Sequence, residues 1–153
     1  MKPIYLEHYK NAEFREWYAH MSPRLSVMLD VLRHVLDKPI RISPHPLALG
    51  RYLGTASYSE HNFEKWGEVQ AVDAFVDGVH TRDQAGEVVS AASLVGFTGL
   101  GVYPDWVNYA GAKQVGFHFG VRENRKMRDP AQWGYMSARM VSIGKALAAL
   151  PTE

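Results

Sequence analysis

The run Gly67-Glu68-Val69-Gln70-Ala71-Val72-Asp73-Ala74-Phe75-Val76 reads as a β-strand. Val69, Ala71, Asp73 and Phe75 alternate with Gln70, Val72 and Ala74, so the first set shares one face of a period-2 element. Asp73 is out of keeping with that face. A carboxylate on an apolar strand surface is costly unless it is paired or bound to a cation.

A second run raises the same question. Val115-Gly116-Phe117-His118-Phe119-Gly120-Val121 reads as a strand with His118 at its centre. The phenylalanines point one way, and His118 shares the other face with Gly116 and Gly120. Glycine inside a strand weakens it and often marks the close approach of a ligand. Leu100 to Tyr103 gives a third short strand.

Helical signals surround these strands. Asn11 can cap a short helix carrying Phe14, Trp17 and Tyr18. Ser22-Pro23 places serine at a cap and proline at the first helical position. Leu25, Met28, Leu29, Leu32, Val35 and Leu36 then follow at helical spacing as far as Asp37, before Pro39 stops the element. Ile40 to Trp66 is turn-rich, with Ser43-Pro44-His45-Pro46, Gly50 and Gly54. Thr81 can cap a helix lined by Ala85, Val88, Val89, Ala92 and Val95 and closed by Gly96. Asp129-Pro130 caps a last predicted helix, with Trp133, Met136, Met140, Ile143 and Leu147 inward. The expected fold is α+β, a small antiparallel sheet with helices packed around it, in a single domain over residues 1–153.

Composition narrows the chemistry. With 46% hydrophobic and 22% charged residues the chain has the make-up of a globular protein. A net charge of +1 gives no nucleic-acid footprint. The densest basic run, Arg122 to Arg128, is diluted by Glu123 and reads as a solvated loop. No apolar run resembles a signal peptide or a membrane span, so neither secretion nor a membrane partner is expected. The chain has no cysteine, which excludes disulfides, thiolate metal sites and thiol nucleophiles. A metal would need nitrogen and oxygen ligands. His61, in the turn-rich Ser59-Glu60-His61-Asn62, joins Asp73 and His118 as a candidate. Two histidines and one carboxylate form a common catalytic zinc set that leaves one position open.

The residues around these three resemble a family. Ser59-x-His61 followed by Ala71-Val72-Asp73 is similar to the Ser-x-His…Ala-x-Asp signature of D-alanyl-D-alanine carboxypeptidase-like zinc peptidases, of the lysostaphin and hedgehog-type fold group. Phe117-His118-Phe119-Gly120-Val121-Arg122 resembles that family's second metal-binding strand, and Gly96 to Pro104 resembles the run before it. Trp133 matches a tryptophan found just after that strand, so the likeness covers roughly Arg41 to Trp133.

The resemblance implies a Zn2+ metallopeptidase, a peptidoglycan hydrolase with His61, Asp73 and His118 as metal ligands. Its substrate would be the stem peptide of the bacterial cell wall, cut as by a D,D-carboxypeptidase or an endopeptidase. The protein would be a bacteriophage endolysin or virion-associated lysin. It is expected to act as a monomer, from the host cytoplasm or the virion, on the wall. Arg51 and Ser59 are the expected substrate-binding residues. Relatives place an acid near the last histidine, yet position 120 is Gly and Asn108 to Phe117 holds no acid. Asp105 is the nearest upstream acid and the candidate general base, with His45 and His80 as imidazole substitutes. Glu60 and Glu68 are read as pointing away from the site. Gly120 and the missing acid keep open a non-catalytic, zinc-binding phage structural or wall-binding domain. A third reading has the polar residues satisfying one another without metal.

Overall fold

The computed structural model describes residues 6–122 and 131–153. It is an α+β fold built on one six-stranded, mostly antiparallel sheet. The strands are β1 (Ile40–Ile42), β2 (Ala71–Val76), β3 (Gly99–Tyr103), β4 (Gly116–Gly120), β5 (Ala131–Met136) and β6 (Arg139–Val141). Their spatial order is β1-β2-β4-β3-β5-β6, and only the β3–β5 pair is parallel. The helices are α1 (Pro23–Leu36), α2 (Phe63–Trp66), α3 (Arg82–Val95) and α4 (Ile143–Ala148), preceded by a 3₁₀ segment over Asn11–His20. Among the described residues no helix is long and apolar enough to cross a membrane.

The two long helices begin and end where their sequence signals lie. Ser22 Oγ accepts from Leu25 N–H at 3.3 Å, Pro23 follows, and Asp37 closes α1 in the left-handed region. Thr81 Oγ1 accepts from Gln84 N–H while the Gln84 side chain returns to Thr81 N–H, a capping box, and Gly96 closes α3 at φ 112°. The first segment differs from expectation. Its flanking residue is Lys10 rather than Asn11, and Tyr18 is exposed whereas Phe14 and Trp17 are buried.

One face of the sheet makes the core. Val72, Ala74, Leu100, Val102, Phe117 and Phe119 join Leu25, Leu29 and Leu32 of α1 and Ala85, Val88 and Ala92 of α3 in a single buried cluster. All six residues of β2 are buried, so its second face is also covered. That second face carries Asp73 and His118.

The last predicted helix is corrected. Its cap, Asp129-Pro130, lies outside the described residues, as does most of the Arg122 to Arg128 run. Ala131–Met136 and Arg139–Val141 are strands, and only Ile143–Ala148 is helical. Two contacts overrode the helical spacing. β5 completes the open edge of β3, and Gly134 lies so close to Ala146 that an added Cβ would sit 2.3 Å from the alanine methyl. Ser137 and Ala138, at φ 50° and 58°, make the tight turn to β6.

Candidate metal centre

Asp73 and His118 are cross-strand partners on β2 and β4, and His118 is in turn opposite Gly101 on β3, itself opposite Trp133 on β5. The period of two puts this row on one face. Gly101 keeps the row open, because a Cβ there would meet the Trp133 indole at 2.9 Å. The indole lies against the His118 ring, with centroids 4.7 Å apart.

His61 arrives from the loop before α2. Asn62 shapes that loop by donating to the carbonyls of Gly54 and Ser57 and accepting from Leu53 N–H. Arg51 N–H to His61 O, at 2.8 Å, and Phe63 N–H to Arg51 O, at 3.0 Å, tie its two ends together. The loop thereby sets His61 Nε2 3.3 Å from His118 Nδ1 and 3.3 Å from Asp73 Oδ1, and those two atoms are 3.2 Å apart. His61, Asp73 and His118 are buried, with 2%, 5% and 5% of their surfaces exposed, and the three could hold a metal ion.

Each member of the triangle has an outer partner. His61 Nδ1–H donates to Leu49 O at 2.5 Å, which leaves the Nε2 lone pair facing inward. Arg51 donates to Asp73 Oδ2 at 3.1 Å, while its Nε–H donates to Leu47 O. His118 Nε2 is 2.7 Å from Glu60 Oε2. Such outer contacts orient metal ligands and select their tautomers.

Glu60 corrects the sequence reading, which turned it away from the site. It is 3% exposed, and its carboxylate lies over Gly99 and Gly120, which face each other across β3 and β4. An added Cβ at Gly120 would come within 2.4 Å of Glu60 Oε2, and one at Gly99 within 2.5 Å. The space beside His118 is thus filled by the chain's own side chains. Trp106 likewise lies over Gly116, stacked on Tyr103 at 4.1 Å. The sequence reading takes Gly116 and Gly120 as room for a ligand beside His118, whereas the fold sets Trp106 and Glu60 over them.

Charge is concentrated here. Burial by itself would lower the His118 imidazole, but hydrogen bonds to Asp73 and Glu60 outweigh it and raise its pKa to about 9. Burial would raise the Asp73 carboxyl, yet His61 and His118 hold it well below the usual carboxylate range. Glu60 is also lowered despite burial, by the His118 hydrogen bond and the charges of His118 and Arg122. Burial pushes His61 down. The His118 imidazole thus lies between two carboxylates.

A cleft of about 580 Å³ opens beside Asp73, with Ser43, His45, Arg51, Phe75 and Trp106 among its lining. Arg15, at φ 54°, holds the far lip by donating to the carbonyls of Ser43 and His45. Ser59, Asp105 and His80 are not members of the donor triangle. Ser59 Oγ accepts from His61 N–H at 3.3 Å, a local turn contact. Asp105 is exposed and its carboxylate accepts from Ser137 N–H at 3.2 Å. His80 is exposed at the start of α3. Comparison of the chain with protein-family models, curated proteins and solved structures finds no match.

Proposed function

We propose that this chain is a zinc-dependent peptidase of the D-alanyl-D-alanine carboxypeptidase-like type, cutting peptidoglycan stem peptides in the setting of a phage lysin. A hedgehog/D-alanyl-D-alanine-peptidase-like fold is part of the same proposal. The observation that carries it is the donor triangle. Ligand atoms about 2.0–2.1 Å from zinc at tetrahedral angles lie about 3.3–3.4 Å apart, and the three donor atoms here are 3.2–3.3 Å apart. Two imidazoles and a carboxylate suit a borderline-soft ion, and three protein donors leave a fourth position for reaction.

Zinc, when bound, supplies a Lewis acid and a nucleophilic hydroxide at neutral pH. The chain supplies the rest. Leu49 O orients His61, and Arg51 holds Asp73. The cleft beside Asp73 receives the peptide, with His45 on its wall as the imidazole placed to carry a proton and Trp106 as an apolar surface.

The test is metal analysis of protein purified without added zinc, followed by incubation with purified peptidoglycan. One zinc per chain is expected, with release of D-alanine or stem-peptide fragments that a chelator abolishes and zinc restores. Zinc without release leaves the non-catalytic, wall-binding reading. Absence of zinc leaves a cluster of polar residues that satisfy one another.

A further inference from the structure

We infer that Glu60 is the positioning carboxylate of this centre, fixing His118 so that Nδ1 rather than Nε2 is its metal-binding atom. The inference rests on the zinc reading above and adds a residue that reading does not need. A histidine ring offers two nitrogens, and the one left free of a proton is set by what the other hydrogen-bonds. Glu60 Oε2 sits 2.7 Å from Nε2, on the side of the ring away from the His61–Asp73 pair. The contact is buried, which makes a carboxylate acceptor stronger than it would be in water.

Two glycines make the room that this carboxylate fills. Gly99 and Gly120 have no space for even a methyl group while Glu60 is in place. Glu60 is held from behind as well. Its backbone carbonyl accepts from Gln70 N–H at 2.9 Å, and its second oxygen faces Arg122 Nε at 3.7 Å. Arg122 also donates to Tyr58 O at 2.6 Å, clamping the loop that carries Glu60 to the end of β4. Among the described residues the Glu60 Oε1 and Arg122 Nε atoms are buried without hydrogen-bond partners, and the ion pair compensates them.

Zinc affinity of the full chain, measured by competition with a chromophoric chelator, tests the role in Glu60→Gln, Glu60→Ala and Gly120→Ala. Loss of such an outer partner typically weakens metal binding about 10–100-fold. That loss is expected for Glu60→Ala, and for Gly120→Ala, which keeps every donor but displaces the carboxylate. Glu60→Gln, which preserves shape, should fall between these and the parent. A nitrogen-15 spectrum of the zinc-loaded parent should show a slowly exchanging proton on His118 Nε2, lost in Glu60→Ala. Zinc bound within threefold of the parent by all three variants, or metal on His118 Nε2, overturns the role of Glu60 alone. A parent chain that takes up no zinc overturns the metal centre itself.

Discussion

Asp73 and His118 stand directly opposite each other on adjacent antiparallel strands, with Asp73 Oδ1 3.2 Å from His118 Nδ1. The backbone ladder therefore presets two of the three candidate ligands, and only His61 depends on a loop. The His61→Ala and His118→Ala proteins are expected to lose stoichiometric zinc. They should also lose the zinc-dependent part of their stability, about 2.7 kcal/mol at zinc a hundredfold above Kd. Metal analysis and thermal melts with and without zinc check this, and full occupancy in His118→Ala would remove that residue from the ligand set.

Metal-free protein should weaken as pH rises. The His118 pKa is raised from 6.5 to about 9 in the folded state. The folded state thus binds the proton more tightly, and the stability this gives is complete below about pH 6.5 and lost as pH rises through about 9. Melting temperatures of chelator-treated protein should fall across that window. A flat profile there would contradict the two-carboxylate environment of the imidazole.

Arg51 holds a candidate metal ligand as well as lining the cleft. It holds both Asp73 Oδ2 and Leu47 O, a fork that lysine cannot reproduce. Arg51→Lys is expected to weaken zinc by about tenfold through loosening of Asp73. Unchanged zinc affinity with a raised KM would instead assign the guanidinium to a substrate carboxylate.

Asp105 and His45 can be tested apart as candidate proton carriers. Asp105 accepts Ser137 N–H in a turn, a task an amide oxygen performs equally well, so Asp105→Asn should keep most peptide-releasing activity. His45 lines the cleft with Asp73, and His45→Ala should lose roughly 10²–10⁴-fold in kcat, the usual contribution of general acid–base catalysis. The reverse pattern would return the base to Asp105.

Gly116→Ala probes the cleft wall. A Cβ there would meet the Trp106 ring 2.0 Å away, so the indole must move. Overpacking of this kind costs about 1–3 kcal/mol. Urea denaturation should show that loss, and tryptophan fluorescence should report the displaced ring.

Much of the fold could be read from local signals. Ser22-Pro23 and Asp37 bound α1, Thr81 and Gly96 bound α3, and alternation marked β2 and β4, because caps and strand faces are properties of neighbouring residues. The same alternation placed Asp73 and His118 on unusual faces before any pairing was known. The Trp133 to Leu147 spacing misled because it suits a helix, and the unpaired edge of β3, supplied by distant residues, decided otherwise. Glu60 was illegible for a similar reason. Whether a carboxylate beside His61 faces solvent or His118 depends on two glycines 39 and 60 positions further along, where the absence of side chains admits it. By itself the sequence determined the two long helices, the central strands and the donors on offer. The tertiary structure alone decided which donors meet at 3.2–3.3 Å and which carboxylate stands behind them. Local signals act over a few residues, whereas a donor triangle is a long-range fact of packing.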